Sequence, residues 1–264
     1  MVGFCHLYRK NSRTFFHSFE CYHHSTACSS SANAIIHAAR MLGSGMADSM
    51  LAGGMDAISR ISLNGFNSLE ILSPTGCRPF DRHRNGVTIG EGAAFLVLET
   101  EKAAAGKKIF GEIAGYANRN ETFHQTASSP DGEGIAMAMR QALDVACIRP
   151  EDIDYINAHG TGTQINDLSE GNAIGLVFGK NIPPVSSTKA YTGHTLAASG
   201  AVEAVLSLLS IKKQTLLPNL GLENVIEDLP FFPQMEMTKA HIQYVLSASL
   251  GFGGANSALI IKKL

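Results

Sequence analysis

The stretch "DIDYINAHGTGTQINDLSEGNAIG" (152–175) decides the fold. Its first residues (152–160) read as a strand running into a loop, with His159 at the strand's end. Gly160 and Gly162 then let the chain turn tightly, and Thr161 and Thr163 can tie down the loop backbone. From residue 166 to 178 the spacing returns to that of a helix. A buried strand, a short polar loop and a helix form the basic unit of an α/β protein.

The same grammar extends in both directions. Upstream, "IFGEIAGYAN" (109–118) predicts a strand. Residues 132–147 predict an amphipathic helix with Ile135, Met139, Leu143 and Ala146 on one face. Downstream, "PPVSSTK" (183–189) predicts a strand, followed by a long helix from about Gly193 to Lys213. "YVLSASLGFGG" and "NSALIIKKL" close the chain as two strands. Strands alternating with helices of this length predict a mainly parallel sheet covered on both faces.

Before residue 100 the pattern is shorter. Ser25 or Thr26 is placed to cap a helix in which Ile35, Ile36, Ala39 and Leu42 recur at helical spacing, ending at Gly43 and Gly45. "MLAGGMDA" (50–57) and "GAAFLVLE" (92–99) predict strands. Between them lie a turn or two of helix (64–72) and the polar loop "SPTGCRPFDRHRNG" (73–86). Residues 1–24 show no periodic element. The chain therefore divides into 1–24, an incomplete α/β unit over 25–108 and a fuller one over 109–264.

Composition narrows the function. Of the 264 residues, 45% are hydrophobic and 17% charged, enough apolar material for one large domain or two packed together. A net charge of −2 offers no basic face for nucleic acid. No apolar run is long enough to span a membrane. The five cysteines are scattered without paired spacing, which argues against a disulfide framework or a zinc site and for a reducing, cytoplasmic setting.

Four features could carry chemistry. Cys28, in "STACSSSAN" (25–33), sits among small residues just before a helix, where the helix dipole favours a thiolate. The thiol by itself is equally compatible with a buried structural cysteine. His159 lies at the carboxyl end of a strand, where α/β sheets place their ligands, although a lone histidine there can be structural. In "STKAYTGHTLAASG" (187–200), Lys189 and His194 flank a helix start, and Glu203 is placed to neutralise Lys189. "GFGGAN" (251–256) is a glycine-rich turn between two strands, and with no helix after it a phosphate-cradling role is disfavoured.

In combination, "TACSSS", "PFDRHRNGVTIGEGAAFLVLE", "HGTGT", "KAYTGHTLAASGAVEA" and "GFGGAN" resemble, in order and spacing, the β-ketoacyl-acyl-carrier-protein synthases, the condensing enzymes of fatty-acid and polyketide synthesis. The resemblance covers residues 25–264. It implies a thiolase-like layered fold (α-β-α-β-α) with the N-terminal half-fold truncated. Cys28 would accept an acyl chain from acyl-carrier protein. The backbone N–H groups of Cys28 and Phe252 would form the oxyanion hole, with Phe252 and Gly253 at the gating turn. His159 and His194 would stabilise the enolate formed when malonyl-acyl-carrier protein loses carbon dioxide. Lys189 and Glu203 would set the local electrostatics, with Asp167 and Glu170 in support.

No metal and no resident cofactor are implied, since the substrates ride on the phosphopantetheine of acyl-carrier protein. The implied partners are acyl-carrier protein and a second subunit, either in a homodimer or in a ketosynthase heterodimer. The alternative is a catalytically inactive fragment or a structural partner subunit. Family members carry far more residues ahead of the nucleophile than the 27 here. "SFECYHH" stands where they have an apolar strand, so a truncated or mis-started chain is expected, with a large apolar face left bare.

Overall fold

The computed structural model describes residues 3–4 and 21–264. Most of the aperiodic 1–24 segment lies outside the described residues. Helix α1 (Ser30–Gly43) runs into β1 (Ser49–Asp56). Helix α2 (Arg60–Ser68) and a long loop lead to β2 (Gly92–Glu99). β1 and β2 pair antiparallel along their whole length, from Ser49 opposite Glu99 to Asp56 opposite Gly92. There follow β3 (Glu112–Asn120), α3 (Glu133–Ala146), β4 (Tyr155–Asn157), α4 (Gln164–Phe178) and β5 (Val185–Ser186). Helix α5 (Ser199–Lys213), β6 (Tyr244–Gly251) and β7 (Ala255–Lys262) complete the main elements.

The larger sheet has the order β3-β7-β6-β4-β5. β4 is parallel to both β5 and β6, whereas β7 is antiparallel to both β6 and β3. The sheet is therefore mixed, not mainly parallel as the alternation of strands and helices predicts. The glycine turn after Gly251 folds β7 straight back on β6, and β3 then joins β7 on its free edge.

Two cores explain the layering. One fills the space between the larger sheet and helices α3 and α4, with Ile135, Met139, Ile156, Ile174 and Leu246 at its centre. The second lies around α1 and α5, which pack together between the two sheets, and joins Ile35, Ile36, Ala52, Ala201, Ile211 and Val245. A Cβ placed on Gly200 would sit 2.7 Å from the Cβ of Ala32, so glycine is what lets α5 come this close to α1. The order of layers is helices α3 and α4, the five-stranded sheet, helices α1 and α5, then β1 and β2. This is the thiolase-like α-β-α-β architecture, without a second outer helical layer among the described residues.

Two local expectations are corrected. The long helix expected from Gly193 begins only at Ser199. Lys189–Thr192 forms a separate short helix, and Leu196–Ala198 is a single 3₁₀ turn. Helix α1 starts at Ser30 and is not capped by Ser25 or Thr26. Thr26 instead closes the turn before it, its carbonyl accepting the N–H and the hydroxyl of Ser29 (3.2 and 2.8 Å).

Candidate active site

Cys28 stands at the corner of that turn. Ala27 is left-handed (φ 50°), so the chain bends sharply out of an extended segment and into α1. The N–H of Ser30 is taken by the Ala27 carbonyl (3.1 Å), which locks the bend. The end of β6 closes on it from the other side. A Cβ on Gly251 would lie 2.5 Å from the Thr26 carbonyl oxygen, so this approach needs glycine. The backbone N–H groups of Phe252 and of Cys28 itself favour the charged form of the Cys28 sulfur. These are the two donors that the resemblance assigns to an oxyanion hole.

The thiol is not a resting thiolate. Burial outweighs the backbone N–H groups and the Lys189 charge, and pushes Cys28 up to about 11. The helix terminus therefore does not have the effect that the sequence suggests. Its dipole acts on a cysteine that is only 6% exposed.

His159 and His194 face one another across the pocket, ring centroids 5.3 Å apart and nearly perpendicular. Each is held from behind through Nδ1. His159 Nδ1 lies 3.1 Å from Lys189 Nζ, and His194 Nδ1 lies 2.9 Å from Ser199 Oγ. An ammonium has only protons to give, so His159 Nδ1 accepts and its proton sits on Nε2. A Ser199 hydroxyl donating to His194 assigns the same tautomer there. Burial, reinforced by the Lys189 charge, holds both imidazoles well below their ordinary value, so both are neutral.

Lys189 is itself 1% exposed. It donates to the His159 carbonyl and forms an ion pair with Glu203, whose other oxygen accepts from Ser249 Oγ at 3.4 Å. Burial pulls the Glu203 carboxyl up, and the Lys189 ammonium pulls it back. Glu170 bridges the strand end with its two oxygens, accepting the N–H of His159 (2.7 Å) and of Gly160 (2.8 Å). Asp167 does the same one step further out, accepting from the N–H groups of Phe80 (2.7 Å) and Gly162 (3.1 Å), with Arg84 alongside at 3.9 Å. Both carboxylates are completely buried, so they are structural parts of the site floor and not helix surface charges.

A cavity of about 230 Å³ opens in front of these groups, lined by Cys28, His159, His194, Thr161, Thr163 and Phe252 among others. Gly253 does not line it, and the Gly253 N–H is taken by the Gln125 carbonyl (2.7 Å). The cavity has one wall that sequence reasoning missed. Phe66 on α2 stacks on Phe252 with centroids 5.7 Å apart and meets the His194 ring nearly at right angles, with centroids 6.5 Å apart. The only available signal was an aromatic in a short helix that buries no residue of its own. Among the described residues no group of three or more His, Cys, Asp or Glu side chains is placed to hold a metal ion.

Known proteins resemble this chain in sequence and fold. Residues 20–104 match the N-terminal domain of β-ketoacyl synthases, and residues 110–223 match their C-terminal domain. The chain is 42% identical over 250 residues to 3-oxoacyl-[acyl-carrier-protein] synthase 2 of Staphylococcus aureus, covering 90% of this chain and 60% of that protein. It is 40% identical over 252 residues to the protein of the same name from Coxiella burnetii, covering 90% and 61%. A solved ketosynthase in complex with its chain length factor, from Xenorhabdus doucetiae, superposes with a TM-score of 0.86 at 39% identity, over 92% of this chain and 60% of that one. A type II polyketide ketosynthase solved with its acyl-carrier protein superposes with a TM-score of 0.88 at 34% identity, over 91% and 62%. The chain thus spans about 60% of the length of the curated relatives it matches. With both family domains matched in order around one buried cysteine and two neutral histidines, the chain belongs to the β-ketoacyl synthase family.

Proposed function

We propose that this chain carries the condensing centre of a 3-oxoacyl-acyl-carrier-protein synthase, an acyltransferase of fatty-acid or polyketide synthesis. The observation that supports it best is the convergence of a buried thiol, two backbone N–H groups and two neutral imidazoles on one cavity. In the first half-reaction Cys28 Sγ attacks the thioester carbonyl of an acyl-carrier-protein substrate. The carbon–sulfur bond to phosphopantetheine breaks, and the departing thiolate takes the proton that Cys28 gives up. The N–H groups of Cys28 and Phe252 hold the transient oxyanion.

In the second half-reaction malonyl-acyl-carrier protein loses carbon dioxide. The electron pair of the broken C–C bond becomes an enolate, whose oxygen the Nε2–H groups of His159 and His194 stabilise. Neutral imidazoles suit this role because each remains a donor without drawing the substrate carboxylate into a resting ion pair. The enolate carbon then attacks the acyl-Cys28 carbonyl, the carbon–sulfur bond breaks, and the released Cys28 thiolate takes up a proton from solvent. Lys189 fixes the His159 tautomer, and Glu203 balances the Lys189 charge inside the protein. The implied partner is acyl-carrier protein, within a homodimer or a ketosynthase heterodimer. No resident cofactor enters the scheme. The compartment it implies is the cytoplasm, and among the described residues no helix is long and apolar enough to cross a membrane.

Release of carbon dioxide from malonyl-acyl-carrier protein tests the reading. The chain should release it, and His159→Ala and His194→Ala should each lower the rate by a factor on the order of 10² or more. Release that survives both substitutions would refute it. The alternative of a purely structural subunit of a heterodimer predicts no release and an unmodified Cys28.

A further inference from the structure

One buried amide ties the turn that carries Cys28 to the larger sheet. Asn33 lies in the first turn of α1, 7% exposed, in a helix whose Ala32, Ile35 and Ile36 belong to the apolar core. Asparagine is a poor helix former, and an amide is costly to bury unless its polar atoms are paired. Packing alone would favour alanine at this position. Instead both ends of the amide are engaged. Asn33 Nδ2 donates to Thr26 Oγ1 (2.8 Å) and to Ser29 Oγ (3.3 Å), on either side of Cys28. Asn33 Oδ1 accepts from Asn118 Nδ2 on β3 and from Ser257 Oγ on β7 (3.3 Å).

Asn118 and Ser257 are cross-strand neighbours, and Asn118 Nδ2 also reaches Ser257 Oγ at 3.4 Å, so the three side chains form one clasp. The remaining side-chain hydrogen bonds of Thr26, Ser29 and Ser30 stay within the turn. The same end of β3 also holds the glycine turn. Three residues beyond Asn118, the Glu121 N–H is donated to the Gly254 carbonyl (3.0 Å), two residues after Phe252. The Cys28 N–H and the Phe252 N–H are therefore referred to one strand end. The first is tied to it through Thr26, Asn33 and Asn118, the second through Gly254 and Glu121.

We propose that Asn33 is a positioning residue for the oxyanion hole, which fixes the Cys28 N–H relative to the Phe252 N–H by clasping the nucleophile turn to β3. This rests on the condensing-enzyme reading of the site. The effect of Asn33 is confined to steps in which an oxyanion forms beside Cys28, namely acylation and the attack of the enolate on acyl-Cys28. Loss of carbon dioxide draws on His159 and His194 instead. Those rings are oriented by Lys189, Glu170 and Ser199, none of which touches the clasp.

The test compares the unsubstituted chain with Asn33→Ala, Asn118→Ala and the double variant. Acylation of Cys28 by acyl-carrier protein bearing a saturated acyl thioester is followed by mass spectrometry over a range of carrier concentrations. Carbon dioxide release from malonyl-acyl-carrier protein is measured alongside. Each single substitution should lower the maximal acylation rate by about tenfold or more, with the half-saturating carrier concentration and carbon dioxide release nearly unchanged. The double variant should be no slower than the slower single variant, because both substitutions cut the same link. Iodoacetamide, whose displacement of iodide forms no oxyanion, should alkylate Cys28 equally fast in all four proteins. Asn118→Ala leaves α1 intact, so it decides the matter if Asn33→Ala does not fold. Full acylation rates in the single variants would overturn the proposal. So would losses that multiply in the double variant, or that extend equally to carbon dioxide release and alkylation. An unsubstituted chain that takes up no acyl group would refute the condensing reading itself, and the proposal with it.

Discussion

Lys189 and Glu203 form a fully buried ion pair directly behind His159, with the Lys189 ammonium shared between the Glu203 carboxylate, the His159 carbonyl and His159 Nδ1. One cation thus fixes the backbone, the ring orientation and the tautomer of the same histidine. A charge so deep is tolerable only with its partner in place. Lys189→Met should therefore destabilise the protein by about 3–5 kcal/mol, since it strands the Glu203 carboxylate. Lys189→Met combined with Glu203→Leu should recover much of that stability and none of the malonyl decarboxylation. Urea denaturation of the three proteins checks the first statement, and carbon dioxide release checks the second.

Glu170 holds two backbone N–H groups at the end of β4, so Glu170→Ala leaves both buried without an acceptor. A loss of about 1–3 kcal/mol is expected for each orphaned donor. Glu170→Gln keeps one carbonyl acceptor and should cost less. Because these bonds orient His159 and do not touch substrate, both variants should lower decarboxylation while leaving acylation of Cys28 nearly unchanged. Equal losses in the two half-reactions would argue for general unfolding instead.

The pH dependence of stability follows from the histidines. Their folded values lie well below 6.5, so under acid the unfolded chain binds protons that the folded chain refuses. Stability due to them is complete above the unfolded value and falls as pH drops below about 6.5. Glu170, raised to about 7 by burial, acts in the opposite sense and favours the folded state as pH falls from 7 toward 4.5. The histidine contribution is isolated by difference. His194→Asn should flatten the acid-side loss of urea midpoint relative to the unsubstituted chain, and an unchanged slope would contradict a neutral buried His194.

Cys28, held up to about 11, should react slowly with iodoacetamide at pH 8, its rate rising steeply only toward pH 11. The exposed Cys21 and Cys147 should alkylate first. Peptide mass spectrometry at several pH values separates the three sites. An acyl-carrier-protein thioester should still acylate Cys28 near neutrality, since sulfur attack on a thioester carbonyl develops an oxyanion that the hole stabilises, whereas displacement of iodide from iodoacetamide develops none.

Much of this site was legible in the sequence, and the exceptions share a cause. Cys28, His159, Lys189, His194 and Glu203 lie in local motifs whose spacing survives in one dimension. The thiolate expectation failed because a helix dipole is a local property, whereas the burial that opposes it comes from β6 closing over the turn. The break between Lys189 and Ser199 was hidden because its residues keep helical spacing. It is set by His194, whose N–H is taken by the Thr88 carbonyl (2.7 Å) from a distant loop. Phe66 was missed for the same reason, its partners Phe252 and His194 being far away in sequence. The antiparallel β3 could not be told from a parallel one, because apolar alternation carries no strand direction.

The central claim is that Cys28 takes an acyl group from a carrier protein. The most direct measurement incubates the folded chain with acyl-carrier protein bearing a saturated acyl thioester and maps the product by tryptic mass spectrometry. The expected result is a single acyl adduct on Cys28, absent from Cys28→Ala. A folded chain that acquires no adduct, or one that acquires it equally after Cys28→Ala, would contradict the account.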